Sequence, residues 1–501
     1  MGVLLPLLYL GLRAFESGPD GFLDLLKRPN NWELVLNTLL LTLGVLVVSL
    51  LIALPMAWLT TRTDLKARRL WALVGVLPLA IPSYLMAYAL LSMSGNIGVV
   101  AKLTDWVLPS ISGYWGAVLI LSLCNFPYLF FNLRAAWLTL DPALEDVAYS
   151  LGQNRRQIFI RVIFPQLKPA LLSGILLISL HVLSEFAAVS LMGYDTLSLV
   201  LYTQFISAFN RSYAACIALI LIAIILCLLL IEMWFLRRLR LDKAGTTNIR
   251  RLNPTPLGAW APVAYLFLSS ILFVSIVAPV GAILFWASKA PLDDLWPDLS
   301  EALKGSMMAS VPAALLSTAL VIPIVYMSIR MPSRWTSLLE RSTYLGYAVP
   351  ALAFALGLVF FTLRLVPSLY QTLFLLIYGY TIHYLAEAVG PIRSALYQTS
   401  PRIEEASRSL GYTRLQTLFK ITLPLIRNGM LISMAFIFLS CMKELHLTII
   451  LSPLGYNTLA LNVWSYIEEA FFAQAAPFAL TILIFSGMFV GLLLIQEKKY
   501  Q

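Results

Sequence analysis

Long apolar runs and short polar breaks alternate along the whole chain. Runs long enough to cross a bilayer fall at about 1–15, 34–60, 70–92, 114–138, 169–192 and 213–236. A second set falls at about 259–287, 304–329, 340–363, 369–397, 425–452 and 475–496. A helix of about 20 apolar residues spans the hydrocarbon core with all its backbone N–H and C=O groups paired internally. The pattern predicts an all-α polytopic membrane protein with about twelve transmembrane helices. The first run begins at Met1 with no basic flank and no small-residue cleavage site, which does not fit a cleaved signal peptide.

The breaks sort by charge. Arg62, Lys66, Arg68 and Arg69 lie in one, Arg237, Arg238, Arg240, Lys243, Arg250 and Arg251 in another, and Arg330, Arg334 and Arg341 in a third. Lys498 and Lys499 sit near the C-terminus, whereas alternate breaks carry Asp293, Asp294, Asp298 and Glu301, or Glu468 and Glu469. Lys and Arg are retained on the cytoplasmic side. Both termini are therefore expected in the cytoplasm, with an even number of crossings between them.

Composition agrees. The chain is 60% hydrophobic with mean hydropathy +0.83, and its 12% charged residues are half the roughly 25% of a soluble domain. Those values exclude a soluble or disordered chain. The net charge of +10 follows from the cytoplasmic loops and needs no nucleic acid. Cys124, Cys216, Cys227 and Cys441 are scattered through apolar runs without a CxxC pair, so neither a disulfide framework nor a metal is expected of them.

The chain also repeats itself. Leu54-Pro55 and Ile81-Pro82 recur as Ile322-Pro323 and Val349-Pro350, both 268 positions on. Arg134, Gly152, Pro165 and Glu185 recur as Arg393, Gly411, Pro424 and Glu444 at 259, and Gly193-Tyr-Asp-Thr-Leu197 recurs as Gly455-Tyr-Asn-Thr-Leu459 at 262. Offsets constant within blocks mean two homologous halves, residues 1–236 and 259–501, joined by a basic cytoplasmic linker at 237–258. Six helices per half is an even number. Both halves therefore enter the membrane alike, as a parallel pseudo-dimer about an axis along the membrane normal.

Two cytoplasmic segments are too long and polar to be simple turns. One reads Asp141-Pro-Ala-Leu-Glu145-Asp146-Val-Ala148-Tyr-Ser-Leu-Gly152, then Val162-Ile-Phe-Pro165. The other reads Ser400-Pro401-Arg-Ile-Glu404-Glu405-Ala406-Ser407-Arg-Ser-Leu-Gly411, then Ile421-Thr-Leu-Pro424. Asp or Ser before Pro is a helix-start signal, acids suit the positive helix end, and Gly permits a sharp stop. Each segment is expected to hold a short helix on the cytoplasmic face, leading into helix five or eleven.

An acid, five residues, a Gly and, after twelve more, a Pro resembles the EAA loop of ABC importer permeases, and it occurs in both halves. That resemblance implies coupling helices that dock on partner ATPase subunits, with Glu145, Asp146, Ala148, Gly152 and Pro165 in one and Glu404, Glu405, Ala406, Gly411 and Pro424 in the other. The first copy departs from the pattern, with Asp146-Val147-Ala148 where Glu-Ala-Ala is usual. Met442-Lys443-Glu444-Leu445 with Gly455–Ala460 and Val463-Trp464, and Leu183–Phe186 with Tyr194–Leu197, are similar to the ferric-iron branch of fused two-half permeases. Thiamine, a polyamine or an organophosphonate are the alternative cargoes. The resemblance further implies a place in a bacterial inner membrane and an extracytoplasmic substrate-binding protein docking on the outer loops.

Ionisable residues inside spans are costly and face an interior or a cavity. Glu185 and Glu444 occupy equivalent places, with His181 near the first and Lys443 and His446 beside the second. They fit a translocation path in which carboxylates act as weak transient ligands for a hard cation. They fit equally well as interhelical struts paired with Arg134, Arg393 or Lys443. His383 and Glu387, four apart on one helix face, read as a packing pair rather than a metal site.

The chain has no Gly-Lys dipeptide, hence no Walker A loop, and neither HExxH nor GxSxG. It is expected to be a transport subunit without a cofactor, metal or ATPase activity of its own. A secondary transporter would share the duplication but would not need paired docking helices. A membrane enzyme would need a catalytic cluster that three dispersed His residues do not offer.

Overall fold

The structure, a computed structural model, describes residues 2, 4–16, 24, 26–140, 142–207, 210–238 and 254–499. Most of the linker expected at 237–258, including Arg240, Lys243, Arg250 and Arg251, lies outside the described residues, as does Asp141. The described residues are almost wholly helical, with one isolated bridge between Thr63 and Thr255.

Among the described residues, six helices are long and apolar enough to cross a membrane: Pro29–Arg62, Gly113–Thr139, Arg156–Ser184, Arg211–Phe235, Gly258–Ala287 and Leu292–Arg330. Four more spans are bent pairs, Arg68–Ala80 with Ser83–Met93 (95°), Arg334–Ala348 with Ala351–Leu365 (101°), Leu373–His383 with Leu385–Gln398 (50°) and Arg414–Leu425 with Arg427–Met442 (72°). Counting each pair once gives ten of the twelve expected crossings. The run near the C-terminus is the shorter apolar helix Phe472–Met488. The run near the N-terminus is Leu4–Ala14, whose 11 residues reach only about 16 Å at 1.5 Å each.

The two sharpest bends share a cause. Pro82 and Pro350, one repeat apart, have no N–H to carry the helical ladder across the break, and the residues before them are extended (Ile81 ψ 112°, Val349 ψ 134°). Inside the straight spans, buried hydroxyls return to the carbonyl four residues back, as Thr38 does to Leu34 at 2.7 Å and Ser317 to Ala313 at 2.7 Å. That disposes of a donor where no water is available.

The chain forms two compact units that do not follow the two sequence halves. One comprises Met1–Leu26, Leu201–Ile222 and Lys289–Gln501, and the other Lys27–Val200 and Ala223–Ser288. Within the first, Leu4–Ala14 packs on Ala351–Leu365 so closely that a Cβ on Gly357 would lie 2.6 Å from the Pro6 carbonyl oxygen. Within the second, the bridge ties the span end at Arg62 to the chain re-entering at Thr255, whose N–H donates to Arg62 O at 2.8 Å.

The repeat extends to individual hydrogen bonds. Tyr194 donates to Asn37 O at 3.3 Å and Leu197 N to Thr38 Oγ1 at 3.0 Å. One repeat on, Tyr456 donates to Gly305 O at 2.6 Å and Leu459 N to Ser306 Oγ at 2.9 Å.

Candidate functional site

Both polar segments fold as short helices outside the spans, Pro142–Ser150 and Pro401–Ser409. Ser400 caps the second, accepting from Arg402 N at 3.4 Å. Gly152 and Gly411 end them in the left-handed region at φ +75° and +89°, so the next N–H reaches back five residues: Gln153 to Ala148 O at 3.1 Å, Tyr412 to Ser407 O at 3.3 Å. A residue with a Cβ is strained there, which is why Gly stands at both positions.

The chain then restarts as a capped helix in both copies. Asn154 and Gln157 exchange side-chain-to-backbone bonds at 3.0 and 2.9 Å, and Thr413 and Gln416 do so at 2.9 and 3.3 Å. These capping boxes were readable as Asn or Thr followed three residues later by Gln. A wide π-turn follows in each, Phe159–Ile163 and Leu418–Thr422, just before the helices in which Pro165 and Pro424 take an early position. Pro lacks the N–H of a regular turn, so its best place is a first turn.

The two loop helices orient their residues alike. Asp146 and Glu405 are exposed, and so is Ala406. Ala148 is buried, and so is its counterpart Ser407, with its hydroxyl 3.0 Å from Thr417 Oγ1. Glu145 and Glu404 differ from their acidic neighbours, since both turn inward onto arginines. Arg62 Nη1 lies 2.8 Å from Glu145 Oε1, and Arg330 Nε lies 3.1 Å from Glu404 Oε1. The arginines end the Pro29–Arg62 and Leu292–Arg330 spans and stand 268 positions apart, so the repeat that exposed the motif also carried these partners. Leucines that face solvent complete the surface. Leu151 is 73% exposed and its counterpart Leu410 80%, joined by Leu144, Val147 and Tyr149 on one copy and Ile403 and Leu415 on the other. The sequence reading passed over these residues, although apolar groups on an otherwise polar loop were the signal for them.

Glu185 and Glu444 are not in mid-helix. Each span stops at the Glu, and the carboxylate caps a new short helix: Glu185 Oε1 accepts from Ala188 N at 2.9 Å, Glu444 Oε1 from Leu447 N at 2.9 Å. The other oxygen accepts a hydroxyl, from Ser83 at 2.5 Å in the first case and from Tyr384 in the second. Both residues are 8% exposed. The long, mostly apolar stretches on either side hide the break from a hydropathy pattern, which registers length and not a change of direction. Arg393, one of the strut partners expected for Glu444, instead lies 2.8 Å from Glu340. His446 Nδ1 is 3.7 Å from Glu444 Oε1, and Lys443 is half-buried at the end of the Arg427–Met442 helix. His181 makes bonds to the Tyr128 hydroxyl and the Leu177 carbonyl at 2.9 Å each.

His383 and Glu387 are separated by the 50° bend. His383 stacks on Phe354 at 5.9 Å, and Glu387 accepts from Ser440 at 2.8 Å. Among the described residues, no group of three or more His, Cys, Asp or Glu is placed to hold a metal.

Two copies of one set of spans, each followed by the same loop helix, Gly stop and capped re-entry, define a duplicated multi-pass membrane protein. A family model described as "Binding-protein-dependent transport system inner membrane component" matches the chain twice, over residues 47–241 and 319–498, and the chain belongs to that family. It is 34% identical over 501 residues to the Fe(3+)-transport system permease protein FbpB 2 of Haemophilus influenzae, covering 99% of this chain and 95% of that one. It is 22% identical to the ferric transport system permease protein FbpB of Actinobacillus pleuropneumoniae, over 96% of this chain and 74% of that one. The molybdenum transport system permease protein ModB of Escherichia coli is 31% identical over 43% of this chain and 96% of its own length. The chain is therefore a transport permease component of the inner membrane.

Proposed function

We propose that the chain is the membrane subunit of an ATP-driven importer for ferric iron, and that its two loop helices dock on cytoplasmic ATPase subunits. The observation that carries the docking is the pair of solvent-facing leucines, Leu151 and Leu410, at equivalent places just past the two loop helices, each beside further exposed apolar side chains. Apolar groups clustered in water at duplicated positions are what a partner surface covers. Closure of an ATPase dimer would press on both loop helices and rock the spans that follow them, opening the route to each side in turn. Hydrolysis belongs to the partner. Recognition of the cargo belongs mainly to an extracytoplasmic binding protein, and both termini lie in the cytoplasm.

Iron as cargo rests on the ferric transport names of the relatives that span nearly the whole chain. His181, Glu185, Lys443, Glu444 and His446 are assigned to the translocation path on their equivalent or adjacent places in the two halves. Their carboxylates would serve as weak oxygen ligands that let the ion leave again. Radiolabelled ferric uptake in cells with and without the chain tests the cargo, with thiamine as control. Unchanged ferric uptake in the absence of the chain would remove iron as the substrate.

A further inference from the structure

The two Arg–Glu ties behind the loop helices are not equal. In the second half Arg330 Nη2 also donates to Thr399 O at 2.8 Å and Leu396 O at 3.4 Å, so one guanidinium closes the end of the Leu385–Gln398 helix and holds the loop helix at once. Glu404, 2% exposed, further accepts from Tyr326 at 3.0 Å and from Thr422 at 3.3 Å. Two of the three guanidinium nitrogens and both carboxylate oxygens are thus engaged.

In the first half the same frame is only partly bonded. Arg62, 6% exposed, makes the one contact with Glu145 and lies over the Trp137 ring at 5.3 Å. Its Nε and Nη2 are buried with no hydrogen-bond partner among the described residues. The carbonyls equivalent to those of Leu396 and Thr399 belong to Trp137 and Leu140, and Arg62 bonds neither. Trp58 and Ile163 stand where Tyr326 and Thr422 stand in the second half, and neither bonds Glu145.

We propose that Arg62 and Arg330 are positioning residues that give the two loop helices different stiffness. The closed tie makes Pro401–Ser409 move as one body with the Leu292–Arg330 and Leu385–Gln398 helices. The half-made tie lets Pro142–Ser150 yield, and when that helix is pressed inward its spare donors take the Trp137 or Leu140 carbonyl, the counterparts of the acceptors that Arg330 already uses. Buried donors without acceptors favour such a step, because an unmet N–H is costly where water is absent. One loop thus transmits force directly and the other after a short travel.

The transport consequence rests on the docking of ATPase subunits proposed above; the stiffness difference does not. Amide hydrogen exchange of the chain in a lipid nanodisc is expected to be at least about tenfold slower in 401–409 than in 142–150. Arg330→Lys, which keeps the charge but loses the fork, should erase that difference. Equal exchange in the two helices overturns the proposal. In the complex with its ATPase, Arg330→Lys should retain the bound subunit while transport per ATP falls by about fivefold or more, and Arg62→Lys should change it by less than about twofold. Equal losses in the two variants also overturn it. Failure of any ATPase to co-purify with the unaltered chain would sink the docking and leave the exchange result to decide the stiffness.

Discussion

Tyr456 donates its hydroxyl to the carbonyl oxygen of Gly305 at 2.6 Å, fastening the Gly455–Leu459 turn to the Leu292–Arg330 span. The same turn also crowds Gly305 from a second side. A Cβ there would stand 2.0 Å from the Asn457 carbonyl oxygen, which is backbone and cannot swing away.

Gly305→Ala is therefore expected to destabilise the chain by about 1–3 kcal/mol, the usual cost of overpacking a tight contact. Gly281→Ala, with nothing within 4 Å of its new methyl, serves as the control. Thermal unfolding of the detergent-solubilised proteins should show a lower midpoint for the first variant only.

The solvent-facing leucines separate docking from folding. Leu151→Ser combined with Leu410→Ser should leave the unfolding midpoint within the range of ordinary surface changes, about 0.5 kcal/mol, because neither side chain packs against the chain. Co-purification of an ATPase subunit should be lost. Full retention of the subunit would place the docking surface elsewhere.

Gly152→Ala and Gly411→Ala test the helix stops. A Cβ in the left-handed region costs about 1–2 kcal/mol at each position, and nothing lies within 4 Å of either to add a clash. The strain is local to the loop helices, so the expected result is weaker ATPase retention with normal insertion and yield. Pulse-labelled membrane fractions and pull-down together read both quantities.

Glu185→Gln with Glu444→Gln keeps an oxygen to accept from Ala188 N and Leu447 N but removes both charges. Yield should hold, and ferric uptake should fall about tenfold or more if the pair attracts the passing cation. Uptake and ATPase stimulation both at the unaltered level would end the assignment of these residues to the path.

Periodicity and repetition made the architecture legible, and the limits of that reading are physical. Hydropathy located the spans because burial in lipid demands apolar length, but it is blind to direction. The bends at Pro82 and Pro350 were present in the sequence as a repeated dipeptide without announcing angles of 95° and 101°. The chain-turning Gly152 and Gly411 were legible because left-handed backbone selects one residue type. Glu145 and Glu404 were grouped with their acidic neighbours because composition cannot tell an outward carboxylate from one that finds an arginine 83 or 74 positions away. Ser407 is the buried counterpart of Ala148, a correspondence that the repeat offset of 259 contained. The membership of the two compact units had no signature in either half taken alone, since it depends on which surfaces pack.

That membership has a consequence for biogenesis. Leu4–Ala14 finds its place against Gly357 and its neighbours, about 350 residues further along, which at 5–20 residues per second means about 20–70 s of synthesis. Once made, this segment must wait until the ninth apolar run arrives. Its final seat is filled late, however early it is made.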